Sequence, residues 1–406
     1  MNAVYCTILT IGDELLIGQT IDTNSAWMAQ QLNPLGIQIK RRVAVGDVRI
    51  DMLEAMQEEL QRTDILLITG GLGPTNDDIT KGVLCEFFNT KLITDAATDS
   101  WVREIFEKRN RPILQINLDQ ALVPEKALVL PNKVGTAPGL LFTQEQKTIV
   151  AMPGVPFEMQ YLMTEHVIPY LKEKYQTPNF LHRTVVTSGE GESFIATRLI
   201  EFEAALPDNI KLAYLPKLGV VKLRLTGREV SETSLNALFV DLIRRLGPIV
   251  VSTQDEDLEY TISRILHEQG KTLALAESCT GGAIASLFTA IKGASTIFKG
   301  SAVTYRNEVK KTLLDVTSID DMNQTTVSEN LAKEMAEQVR LKMKADYGLG
   351  IVGYLEKHDH DNSVWVAVST AEKTVTKHFY TYYDRSKNII FASTMALNFL
   401  LKQVEA

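Results

Sequence analysis

The apolar positions switch period repeatedly through the first ninety residues. Val4–Ile11 is a β-rich run that leads into GDELLIG. DTNSAWMAQQL then reads as a capped helix with Trp27, Met28 and Leu32 on one face. Ile37–Val45 is a second strand pattern, and Ile50, Leu53, Met56 and Leu60 recur at helical spacing after it. DILLIT (64–69) is a short continuous apolar run, as expected of a strand buried on both faces. This alternation predicts βαβ units around a parallel sheet. Residues 98–170 read as more helical, with strand patterns at 127–131 and 148–152.

The run LKEKYQTPNFLHR (171–183) mixes charge, Pro and Asn and reads as a boundary. Beyond it the order is strand, helix, strand, strand, helix, including the alternating strand VVKLRLTGR (220–228) and the amphipathic helix SETSLNALFVDLIRRLG. The acidic TQDEDLEY (253–260) opens a further mixed unit. Three domains are expected: 1–170 (α/β, doubly wound), 171–252 (small α+β) and 253–406 (α/β).

The 45% hydrophobic and 23% charged composition fits a globular chain and excludes long disorder. The net charge of −8 argues against a nucleic-acid partner and favours a small-molecule one. Cys6, Cys85 and Cys279 are too few and too scattered for a disulfide framework or a CxxC zinc site, so a reducing cytoplasm is the expected compartment. No stretch reaches about 18 consecutive apolar residues, so no membrane span is expected.

Chemistry concentrates after the strands. TGGLGPTNDDIT (69–80) follows DILLI directly, where ligands bind in a parallel sheet. Gly70, Gly71 and Gly73 allow backbone amides to approach an anion, and Thr75 and Thr80 offer hydroxyls. Asp77 and Asp78 can cap the next helix or hold a divalent metal. Asp13, Glu14, Asp22 and Asn24 lie just beyond the first strand. Several acids beside a glycine cradle suggest hard-metal chemistry on a phosphate ester. KVGTAPG (133–139) and MPGVPFEM (152–159), with Glu158, can close the same pocket.

These four motifs, in this order and spacing, resemble the CinA family over the first ~170 residues. The resemblance implies a doubly wound amino-terminal domain of the MogA and MoaB type that binds a nucleotide or pterin phosphate, with metal-dependent ADP-ribose pyrophosphatase activity. It implies a divalent metal (Co²⁺, Mn²⁺ or Mg²⁺), phosphate on Gly70, Gly71 and Gly73, and phosphate or ribose contacts from Thr75 and Asn24. Asp78 is the candidate catalytic group and Asp13 and Asp77 the candidate metal ligands, with ligand and base not distinguished among the three. The middle region resembles the family's KH-type domain and reads as a spacer and dimer element. A homodimer is expected, because the family's separate domains pack as dimers. Binding of a nucleotide or molybdopterin without turnover is the alternative, with an inert carboxy-terminal module.

A second constellation is KTLALAESCTGG (271–282), where a strand runs into Ser278 and then a helix near Gly281. A serine there has an exposed hydroxyl near a helix N-terminus, although a capping role for Ser278 or Thr280 explains the same residues. Tyr305 and Lys310 follow in TYRNEVKK. AESCTGG, KGASTIFKGSAVTYRNEVK, TVSENLAKEMA and the late Asp384-Arg385 pair resemble the CinA carboxy-terminal domain, a nicotinamide mononucleotide deamidase of serine/lysine type where active. The resemblance implies Ser278 as nucleophile, Lys310 as base, Tyr305 as its helper, and substrate contacts from Thr280, Gly281 and Arg385. The family's glycine-rich loop is replaced here by GYLEKHDHD (353–361), which predicts weak or absent deamidation. The His358, Asp359, His360, Asp361 run is a hydrated turn or, less simply, a set of metal ligands.

Overall fold

A computed structural model describes residues 3–75, 77–175, 177, 180–319, 327–356 and 362–405. The chain divides into two compact units, Met1–Leu181 with Arg228–Val230, and His182–Gly227 with Ser231–Ala406. The 358–361 acid and histidine run lies outside the described residues.

The first unit opens with β1 (Val4–Ile11), α1 (Asp13–Leu16), α2 (Thr23–Leu32), β2 (Ile37–Val45), α3 (Arg49–Arg62), β3 (Ile65–Thr69) and α4 (Thr80–Phe87). It continues with β4 (Leu92–Thr94), α5 (Ala96–Lys108), α6 (Gln115–Leu118), β5 (Leu122–Pro124), β6 (Leu128–Leu130), β7 (Gly139–Gln144), β8 (Lys147–Met152), α7 (Pro156–Leu162) and α8 (Ile168–Lys174). Six strands form one sheet in the order β2-β1-β3-β8-β7-β6. The first four are parallel, and β7 and β6 return antiparallel.

The alternation within the strands explains the layering. Cys6, Ile8, Ile65 and Leu67 point to Met28 and Leu32 of α2 and Met159 of α7. Their neighbours Leu9, Ile11, Leu66 and Ile68 point to Met52 and Met56 of α3 and Leu84 of α4. DILLIT is therefore buried on both sides, each large side chain contributing roughly 1.5–3 kcal/mol.

Two expectations change. The inward stripe of α3 is Met52, Met56, Glu59 and Leu60, whereas Ile50 is 51% exposed and Leu53 only partly buried. A glutamate can face inward because Glu59 accepts a bond from Thr7 Oγ1 (3.0 Å) and pairs with Arg41 (2.6 Å). The 98–170 segment is also less helical than its pattern, since Gly139–Gln144 pairs antiparallel with β8 across a tight turn. A strand in a two-residue hairpin carries too little sequence for its period to stand out.

The second unit holds β9 (Phe180–Ser188), α9 (Glu192–Ala204), β10 (Ile210–Lys217), β11 (Val220–Arg228), α10 (Glu232–Leu246) and β12 (Val250–Ser252), with sheet order β10-β11-β9-β12. Ser231 caps α10 by accepting from Ser234 N–H, and Leu235, Phe239, Leu242 and Leu246 form its buried stripe. Then come α11 (Leu258–Gln269), β13 (Leu273–Glu277), α12 (Ala283–Thr289), β14 (Phe298–Val303), α13 (Asn307–Leu314), α14 (Glu329–Met343), β15 (Tyr347–Gly353), β16 (Ser363–Ser369), β17 (Thr374–Tyr380) and α15 (Arg385–Val404). Their sheet is ordered β14-β13-β15-β16-β17, with β14, β13 and β15 parallel and the last two strands antiparallel.

The middle region is more than a spacer. Val186, Val220 and Val251 join the same apolar core as Leu258, Ile262, Leu275 and Leu400. Among the described residues, no helix is long and apolar enough to cross a membrane. A fragment of residues 182–406 is expected to unfold in one cooperative calorimetric transition, whereas 182–252 alone, with those valines uncovered, is not. Independent melting of the two segments within 182–406 would contradict the shared core.

Candidate functional site

The first unit places its cleft where the strand order reverses, at the carboxyl ends of β1, β3 and β8. Three short turns make it. Gly12 N–H donates to Val45 O (3.0 Å), Gly70 N–H to Met152 O (3.1 Å), and Pro153-Gly154 follows β8. Gly70 has φ 118°, and a Cβ there would lie 2.2 Å from Ile11 O. Gly71 has φ 63°, and a Cβ there would strike the Thr80 hydroxyl. Both positions require glycine, so the turn can fold back against β1 and α4. The resulting cleft is about 370 Å³ and is lined by Glu14, Asp47, Gly70, Gly71, Gly73, Asp77, Asp78, Gln120 and Glu158, among others.

Several candidate residues serve the scaffold. Gly70 lines the cleft, but its amide is engaged by Met152 O and cannot also hold phosphate. Thr75 donates its amide (2.8 Å) and its hydroxyl to Asp78 Oδ2, so the pair staples the turn. Asn24 donates to Gly154 O (2.8 Å) and Thr69 Oγ1 (3.3 Å), tying α2 to the ends of β3 and β8. Asp13 and Asp47 are clipped together: each carboxylate accepts the other's amide, at 3.2 and 3.1 Å. Of this clip, Asp47 lines the cleft. Asp77, Asp78, Gly71 and Gly73 face the cleft as expected.

Asp47 was not singled out by sequence, although it follows β2 as Asp13 follows β1, and that equivalence is the signal for it. Burial raises its carboxyl pKa, and the charges of Asp13, Glu14 and Asp77 raise it further. Burial also raises Glu158, against the bond it accepts from Asn132 Nδ2 (2.7 Å). Lys81, another missed residue, donates to Gln120 O (3.0 Å), and burial pushes its ammonium down to about 8. Among the described residues, no three His, Cys, Asp or Glu side chains converge closely enough to cage a metal ion. The donor set is all hard oxygen, and its mutual repulsion at Asp47 is what a cation would relieve. These residues therefore fit a cation carried by one or two carboxylates and substrate phosphates, the usual habit of Mg²⁺.

In the second unit, β13 ends in Glu277, which is 0% exposed. Its carboxylate accepts Thr280 Oγ1 (2.7 Å) and the amides of Gly282 (3.1 Å), Ile284 (3.1 Å) and Ala285 (2.8 Å). The anion at the N-terminus of α12 is thus the chain's own Glu277. Thr280 and Gly281 are therefore turn residues: the Thr280 hydroxyl serves Glu277, and the Gly281 amide donates to Ser278 O (3.2 Å). The helix itself starts at Ala283, two residues beyond the glycine expected to open it.

Ser278, Tyr305, Lys310 and Arg385 are brought together around one cleft of about 360 Å³ with Cys279, Asn307, Gly353, Tyr354, Leu355 and Glu356. Lys310 is 2% exposed and donates to Tyr305 O (3.2 Å) and Asn307 Oδ1 (3.4 Å). Burial lowers its ammonium pKa, the direction a general base requires. The Tyr305 hydroxyl instead accepts from Arg385 Nη2 (2.8 Å), so Tyr305 touches Lys310 through its backbone carbonyl. Asn307 was missed by sequence. Burial pushes the Cys279 thiol up to about 12, which keeps it protonated beside Ser278. Glu356 lies 3.6 Å from Arg385, and the Tyr354 amide donates to Ser363 O (2.9 Å), extending the β15–β16 pairing into the expected substrate loop. Asp384 caps α15 through the Lys387 amide (3.0 Å).

The folds and clefts define a multidomain α/β protein with a molybdopterin-binding-type first domain, a KH-type middle domain and a second α/β domain built around Ser278. Family descriptions match accordingly: "Probable molybdopterin binding domain" over residues 7–173, "Damage-inducible protein CinA KH domain" over 182–251, and "CinA C-terminal domain" over 255–404. A CinA-like protein of Flavobacterium psychrophilum is 40% identical, covering 98% of this chain and 98% of its own. One of Cytophaga hutchinsonii is 39% identical, covering 99% and 98%. A solved CinA structure from Thermoplasma acidophilum, titled as of unknown function, is 30% identical, with a TM-score of 0.38, over 42% of this chain and 99% of its own. The chain belongs to the CinA family.

Replacing Glu277 by Ala strands three amides and a hydroxyl in the core and is expected to cost on the order of 3 kcal/mol in chemical denaturation. A loss below about 0.5 kcal/mol, the range of an ordinary surface change, would deny the carboxylate its part in holding the Ser278 turn.

Proposed function

We propose that the first domain hydrolyses the pyrophosphate of ADP-ribose or a related nucleotide with a divalent metal (Co²⁺, Mn²⁺ or Mg²⁺). The observation that carries this proposal is the convergence of Asp47, Asp77, Asp78 and Glu158 on one cleft with a glycine turn. Gly71 and Gly73 bring the backbone close to the phosphates, while Asp78 and Thr75 hold the turn in shape. Asp47 and Asp77 would hold the cation, which when bound supplies charge neutralisation of the phosphates. Glu158, raised by burial, is suited to exchanging a proton within the cleft.

Asp77→Asn is expected to lower metal-dependent cleavage of ADP-ribose by at least about 10²-fold with an unchanged melting temperature, the exposed carboxylate making little difference to the fold. Asp78→Ala is expected to lose both activity and about 1 kcal/mol of stability, since it also frees Thr75. A phosphate-release assay with a chelator control measures both, and wild-type turnover in Asp77→Asn removes that residue from the site. Binding of a nucleotide or molybdopterin without turnover is the second reading, favoured by the lack of a three-carboxylate cluster among the described residues. Tight ADP-ribose binding without metal-dependent cleavage would establish it.

For the second cleft we infer at most weak nicotinamide mononucleotide deamidation. Ser278 would attack the amide carbon as Lys310 takes its proton, the C–N bond would break with that proton passed to the departing ammonia, and water would then hydrolyse the Ser278 ester. Against this stand Tyr354, Leu355 and Glu356, which line the cleft where the backbone donors of a glycine-rich loop are expected, and Glu356 beside Arg385. Loss of one preorganised oxyanion donor typically costs about 10²–10³ in rate. Ammonia release from nicotinamide mononucleotide is therefore expected near the Ser278→Ala background, and strong Ser278-dependent release would show that this loop supplies its own donors.

A further inference from the structure

A second cavity of the C-terminal unit shares no lining residue with the Ser278 cleft. It measures about 320 Å³ and lies between the β10–β11 hairpin and helices α11, α12 and α15. Val220, Leu287, Ile389 and Leu397 supply apolar wall, and Glu259 and Ser393 supply the polar groups used below.

Neither polar group is paired with another residue's side chain, although the Glu259 carboxylate accepts its own backbone amide. Ser393 is 3% exposed, and its Oγ has no hydrogen-bond partner among the described residues. A buried hydroxyl in that state is destabilising until something bonds it. Glu259 sits in the first turn of α11, half-buried, and no described cation lies within ion-pair distance of it. The nearby lysines are engaged elsewhere. Lys217 and Lys222 both pair with Asp257, at 3.2 and 3.1 Å, and Lys222 also with Asp255 at 2.9 Å. Burial raises the Glu259 carboxyl pKa and the Asp257 charge raises it further, against its own backbone amide and the charges of Lys217 and Lys222, so on balance a bound cation would still favour this half-buried carboxylate.

We propose that this cavity binds a small amphipathic amine, its apolar body against Leu287, Ile389 and Leu397, its ammonium on Glu259 and a polar edge within reach of Ser393. The volume suits a molecule of one or two fused rings. Selectivity for the cation follows from the lining charges: Lys217 is held by Asp257, so an anion would still meet the Glu259 carboxylate and a neutral body would leave it without a cation. α12 begins just after the Ser278 turn and α15 begins with Arg385, so the ligand would rest on the two helices that present those residues.

The test uses three isosteric probes on the full chain at neutral pH: 1-naphthylmethylamine, 1-naphthalenemethanol and 1-naphthoic acid, followed by calorimetric titration. The amine is expected to bind saturably and about tenfold or more tighter than the alcohol, as a charge-assisted contact requires, with the acid weakest. Glu259→Gln keeps the shape of the side chain and should bring the amine down to the affinity of the alcohol. Ser286→Phe, on the exposed side of α12, should weaken amine and alcohol alike by filling the cavity. No saturable binding, equal binding of amine and alcohol, or an amine preference that survives Glu259→Gln would each overturn the proposal, the last by showing that the amine sits on another acidic surface. Unchanged melting temperatures of the variants exclude misfolding as the cause of any loss.

Discussion

A parallel sheet covered by helices on both faces leaves its strand ends as the natural place for chemistry. Both units obey this constraint. In the first, Cys6 and Ile8 face one helical layer while Leu9 and Ile11 face the other, and the buried hydroxyls of Thr7 and Thr10 are bonded within the fold, so the turn beyond Ile11 is where β1 first opens to a cleft. In the second, the strand Leu273–Glu277 is entirely buried, and Ser278 is the first residue past it.

The two turns solve the resulting backbone problem differently. After β3, glycines let the chain fold back on itself, and Gly70 gives its amide to Met152. After β13, a buried carboxylate gathers the loose amides at the start of α12. The first device leaves room for an external anion. The second fills the anion position from within, and the walls of the Ser278 cleft carry Arg385, Asn307 and Tyr354.

Charge is gathered at both clefts. Asp13, Glu14 and Asp77 act together on Asp47, and Lys310 is buried, its ammonium donating to a carbonyl and an amide oxygen. Each arrangement favours the less charged form of the group at its centre. Positions of that kind cost stability and persist where a site needs them.

Much of the architecture was legible in the sequence, because burial dictates period. The strands around Ile8 and Leu67, the capped helix at Ser231, the domain order and the glycine turns all follow from local pattern. The shared core of Val186, Val220 and Val251 was not legible, since an apolar residue does not state which neighbour covers it. Neither was the inward face of α3, where Glu59 is tolerated only because Thr7 and Arg41, distant in sequence, meet it. The candidate sites divide the same way. Residue type and position marked Asp77, Asp78, Glu158, Ser278 and Lys310, and the family resemblance marked Arg385. Only the tertiary structure decided that Asn24, Gly70, Thr75, Thr280 and Gly281 give their polar groups to the scaffold, and that Asp47 and Asn307 join the clefts. A side chain's chemistry is written in the sequence, but its hydrogen-bond partners are set by the strand and helix ends brought beside it.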